Sequence, residues 1–78
     1  MTPAQHATAA ADQLATSKLG AVNQVRYARL ATVHAVLSTA LGIGADYTAA
    51  DTLLATATTA AWSPYLVDQA LAHAHLAP

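Results

Sequence analysis

The chain has no cysteine, no phenylalanine and no glutamate among its 78 residues. Without cysteine there is no disulfide framework and no thiolate zinc site. Charge is nearly as scarce. Lys18, Arg26 and Arg29 are the only lysine or arginine residues, and 9% of the chain is charged where about 25% is usual. From Leu30 to Pro78 there is no such cation, while Asp46, Asp51 and Asp68 all lie in that stretch. Nucleic-acid affinity depends largely on neutralising phosphates with Lys and Arg, so little of it is available here. No apolar run approaches the roughly 18 residues that a membrane span needs. The opening stretch, Met1 to His6, has neither a basic segment nor a leucine-rich core, so no signal peptide is expected. With a net charge of −1 and 55% apolar residues, the chain also lacks the signature of disorder. The expected setting is the cytoplasm, or the inside of a viral particle if the gene belongs to a phage.

What is abundant is alanine. It supplies 22 of the apolar residues, leaving ten Leu, five Val, three Tyr and one each of Ile, Trp and Met as larger apolar side chains. The alanine- and threonine-rich usage resembles a high-GC coding bias, as in actinobacteria or their phages. No segment alternates apolar and polar residues with β-branched weight, so no strand is expected. The whole chain, 1–78, reads as a single all-α domain: a small four-helix bundle whose last two helices form a tight helix-turn-helix-like hairpin.

The first helix opens with Thr2 as N-cap, Pro3 at the first position and Gln5 completing a capping box, and should run to about Leu19, stopped by Gly20. Its inward stripe reads Ala4, Ala7, Ala11, Leu14. The second starts after Asn23, with Val22 and Tyr27 as staple partners, and runs to about Leu41 on the stripe Leu30, Val33, Leu37, Leu41. One continuous helix across Gly20 is the alternative, since an interior glycine costs only ~1 kcal/mol. The third begins at Thr48 with Asp51 in the capping-box position, its apolar side being Leu53, Leu54, Ala57 and Ala61. The fourth opens with Ser63-Pro64, with Trp62 and Val67 as staple partners, and buries Leu66, Val67, Ala70, Leu71 and Ala74.

Candidate chemistry is thin. His73 and His75 are two apart and diverge by about 200° on a helix, whereas a helical metal pair wants a spacing of three or four. His6 and His34 lie on other helices. The four histidines therefore read as titrating surface groups, with no metal and no cofactor expected. There is no nucleophilic cysteine and no close carboxylate pair. Ser63 is explained as a cap, and no catalytic constellation is recognisable. The chain is not expected to be an enzyme.

Residues Leu53 to Leu71 resemble a helix-turn-helix, with a small Ala57 in the first helix and Ser63-Pro64 opening the second. The turn glycine of that motif is replaced by Ala61, and the second helix carries no Lys or Arg. Gly44 to Thr48 resembles the attachment loop of acyl carrier proteins, but Tyr47 stands where the modified serine would be, so no phosphopantetheine can be attached there.

The function expected is a non-catalytic protein–protein interaction or assembly role: a small adaptor or structural subunit that binds itself or another protein. A charge-poor skin of Ala, Thr, Gln and Ser suits a surface covered by other subunits, and a core this small is marginal alone. The interface residues read from the sequence are Arg26, Tyr27, Arg29 and Val33 on the second helix, with Trp62 and Tyr65 as aromatic anchors. The alanine stripe of the first helix is the second choice. The alternative function is a small DNA-binding regulator that uses the last two helices.

Overall fold

The computed structural model describes residues 1–20, 24–59 and 62–78. Four helices run in chain order: α1 (Pro3–Ser17), α2 (Gln24–Ser38), α3 (Ala45–Thr59) and α4 (Pro64–Leu76), with no strand among the described residues. α1 packs along α2 and α3 along α4. α2 also packs on α4 and touches α3, so it is the central helix, and the backbones of α1 and α3 do not meet.

The caps form as the sequence dictates. The Gln5 amide donates to Thr2 Oγ1 at 3.2 Å, and the Thr2 amide donates to Gln5 Oε1 at 2.8 Å. Ser63 Oγ accepts from the Leu66 amide, and Pro64 occupies the first position, where no amide is needed. α1 stops at Ser17 with Lys18 as its C-cap, so the first two helices are separate. The expected roles of Val22, Asn23 and Ala61 fall outside the described residues.

Two boundaries differ from expectation. α2 ends at Ser38, and the turn closes with short-range bonds from Thr39 to Val36 and from Ala40 to Leu37, leaving Leu41 70% exposed. Its amide bonds instead to the Pro78 carbonyl at 2.8 Å. α3 begins at Ala45, earlier than Thr48. Gly44 turns the chain with φ +95, and both the Thr48 amide and its hydroxyl bond to the Gly44 carbonyl. Thr48 is therefore inside the first turn, and Asp51 is released from any capping role.

The apolar core consists of Leu30, Val33 and Leu37 from α2, Tyr47, Ala50, Leu54 and Ala57 from α3, and Val67, Ala70 and Ala74 from α4. Trp62, Leu66, Leu71 and Tyr27 flank it. The periodicity marks these residues on α2 and α4, and Leu54 and Ala57 on α3, but not Tyr47 and Ala50, which the expected stripe of α3 leaves out. α1 contributes nothing to this core. Its expected inward residues Ala4, Ala7, Ala11 and Leu14 are all exposed, and its buried residues are His6 and Ser17, with Ala9, Ala10 and Gln13 half-buried. An alanine stripe gains little by burial, and on the face that is buried instead His6 bonds across to α2 through His34.

Candidate functional site

The inward turn of α1 creates a polar cluster. His6 is fully buried and His34 is 4% exposed, and their Nδ1 atoms lie 2.7 Å apart. The other nitrogen of His6, Nε2, lies 2.9 Å from Asp51 Oδ1. That oxygen sits off the N–H axis, so the contact is Coulombic and does not complete a hydrogen bond. Asp51 Oδ2 takes the Met1 ammonium at 2.8 Å, and the Tyr47 hydroxyl donates to the Met1 carbonyl at 2.7 Å. The Tyr47 ring also meets the His6 ring edge-on, 5.8 Å between centroids. Side chains alone thus bridge α1 to α3.

The proton positions follow from these contacts. Two imidazole nitrogens at 2.7 Å must share one proton. With the carboxylate of Asp51 drawing the His6 proton to Nε2, His6 Nδ1 is the acceptor and His34 Nδ1–H the donor. His34 Nε2 then keeps a lone pair. Both rings are held neutral. Burial lowers the His6 pKa, opposed by Asp51, and burial followed by the neighbouring His6 lowers that of His34 to about 4. Burial also raises the Tyr47 pKa, with Asp51 adding to it.

These histidines correct the expectation that all four are titrating surface groups. The signal for the pair lies in α2, where His34 stands four residues after Leu30 and three before Leu37, inside the apolar stripe. The other two fare differently. His73 is half-exposed, with Nδ1 2.9 Å from Asp46 Oδ1, while His75 is exposed. Among the described residues no three His, Cys, Asp or Glu side chains are arranged to hold a metal ion. The His6–His34 separation explains part of this: zinc bonds of about 2.0–2.1 Å at tetrahedral angles need donor atoms roughly 3.3 Å apart.

A cleft of about 360 Å³ opens between α1 and α3. Met1, His6 and Gln13 from the α1 end of the chain, His34 from α2 and Asp51, Leu54 and Thr58 from α3 line it.

The six interface residues read from the sequence are not gathered on one outward face. Val33 is fully buried in the chain's own core and cannot belong to a contact surface. Its position on the apolar stripe with Leu30 and Leu37 is the reason. Arg26 folds back, its guanidinium 5.3 Å from the Trp62 ring centre and 5.9 Å from that of Tyr27, so these three meet where α2 and α4 begin. Cation–π attraction holds the guanidinium there. Arg29 is exposed, and Tyr65 is 68% exposed, with its hydroxyl accepting from Gln69 Nε2.

A shallow apolar groove of about 340 Å³ runs along the outside of the α1–α2 hairpin, lined by Ala10, Ala11, Leu14, Ala28, Ala31 and Ala35 together with Thr32. No helix is long and apolar enough to cross a membrane among the described residues. Set beside known proteins, the chain matches no family model, no curated protein and no solved structure.

Proposed function

We propose that this chain is a non-catalytic assembly subunit that associates with another copy of itself through the outer face of the α1–α2 hairpin. The observation that carries this reading is the orientation of α1. It spends its buried face on His6, Gln13 and Ser17 and leaves Ala4, Ala7, Ala11 and Leu14 outside, beside Ala28, Thr32 and Ala35 of α2. Small side chains on both helices let another helix approach closely, and Leu14, 49% exposed, is a knob with no hole in its own chain. The groove has no ionised side chain, so association there carries no charge-desolvation cost. This favours the alanine stripe over the Arg26 and Arg29 surface as the contact. The cytoplasm or a phage particle remains the setting that the composition suits.

Light scattering at micromolar concentration tests the reading. The wild type should have a multiple of the 7.9 kDa chain mass, and Ala28→Glu should reduce it to that of a single chain with unchanged helicity. A wild type that is already a single chain under these conditions overturns it. Association that persists in Ala28→Glu moves the contact elsewhere.

A further inference from the structure

We infer that the cleft between α1 and α3 is a binding site for a compact ligand that donates hydrogen bonds, with the chemistry of an amidine, guanidine or primary amine on a small apolar body. The inference rests on a different face from the assembly surface and on the proton bookkeeping of the cleft.

Gln13, His34, Asp51 and Thr58 in the lining each present an acceptor. Asp51 is a carboxylate. His34 has its Nδ1–H committed to His6, so Nε2 is the nitrogen left over, with a lone pair and no proton. The Thr58 hydroxyl proton is committed to the helix, since Oγ1 lies 3.0 Å from the Leu54 carbonyl and 2.9 Å from that of Ala55, and only its lone pairs remain. Gln13 Oε1 is buried and accepts from no donor among the described residues. A buried acceptor without a donor costs about 1–3 kcal/mol, so an N–H group supplied from outside recovers a penalty that the fold otherwise carries.

The surroundings suit such a guest. Leu54, Ala55 and Ala9 supply the apolar part of the wall. A cleft of about 360 Å³ exceeds by roughly twofold the ~150 Å³ cavities that accept benzene, and it falls within the usual size range of small-molecule sites. The one carboxylate at the cleft already holds an ammonium, at 2.8 Å on Oδ2. An anion meets those four acceptors and no Lys or Arg, and the Met1 ammonium and the His6 Nε2–H in the lining already face Asp51. The floor is firm, because His34 and Leu54 belong to the buried interior.

The test uses the intact chain and two probes of one shape, benzamidine and benzoate, near neutral pH. Long-range ¹⁵N–¹H spectra of the free protein should show His34 protonated on Nδ1 and bare on Nε2. Benzamidine should shift the resonances of His34, Gln13 and Thr58 saturably, and benzoate should bind at least about tenfold more weakly. Gln13→Leu and Thr58→Val, which leave the core untouched, should each weaken benzamidine about fivefold or more, as loss of one charge-assisted hydrogen bond implies. A proton on His34 Nε2, equal binding of the two probes, or benzamidine shifts absent or confined to other faces would overturn the inference. So would full affinity in both variants.

Discussion

His6 on α1 and His34 on α2 share one proton across 2.7 Å, the first ring fully buried and the second nearly so. The contact joins residues 28 positions apart and orients α1, which brings no apolar side chain to the core cluster. Asp51 stands behind His6, and a fully buried polar ring is tolerated because each of its nitrogens has a neighbour.

The first consequence is acid sensitivity. His6 and His34 have folded-state pKa values below the ordinary 6.5, His34 at about 4. The unfolded chain therefore binds more protons than the folded one below about pH 6.5. Stability is full above that point and falls as pH drops, and the share due to His34 stops falling near pH 4, where that ring protonates in the folded state too. The slope is at most about 1.4 kcal/mol per pH unit for each histidine. Urea midpoints measured between pH 7.5 and 4 should decline through this window, and His6→Leu/His34→Leu should flatten the decline.

A double-mutant cycle on the same pair should show strong coupling. His6→Leu alone strands His34 Nδ1, and His34→Leu alone strands His6 Nδ1. Each should cost about 1–3 kcal/mol, while the double substitution should cost clearly less than the sum. Additive losses would mean that the two rings do not share a proton.

Burial separates the leucines sharply. Leu37 is fully buried and Leu14 is 49% exposed. Leu37→Ala should cost about 2–5 kcal/mol in chemical denaturation. Leu14→Ser should leave the stability of the isolated chain within about 0.5 kcal/mol and act instead on oligomer mass.

Gly42 and Gly20 should respond differently to alanine. At Gly42, φ is +82 and an added Cβ would meet Pro3 Cδ at 2.9 Å. At Gly20 nothing lies within 4 Å of the added carbon. Gly42→Ala should destabilise by more than about 1 kcal/mol, and Gly20→Ala should be neutral or slightly stabilising. Thermal melts of both variants decide this.

The fold was legible where side chains are large or caps are specific. Leu30, Val33 and Leu37 mark their face by size, and Thr2-Pro3-x-Gln5 and Ser63-Pro64 have local chemistry that needs no tertiary context. The face of α1 was not legible, because Ala4, Ala7 and Ala11 differ too little from Ala9 and Ala10 for hydropathy to choose between them. The candidate site was missed for a related reason. A helical repeat tells which way His6 and His34 point along their own helices, but only the register of α1 on α2 puts them nose to nose. The clue within reach was that His34 interrupts an otherwise apolar stripe. The Arg26–Trp62 contact depends in the same way on how α2 and α4 cross.

Because α1 packs along α2 without adding an apolar side chain to the core cluster, and meets α3 through His6, the molecule amounts to a three-helix kernel with a fourth helix clipped to its side. Such a clip opens more cheaply than the kernel melts. Amide protons of α1 should exchange with solvent well before those around Leu37 and Ala70, and the fastening, unlike the kernel, should loosen as the medium turns acidic.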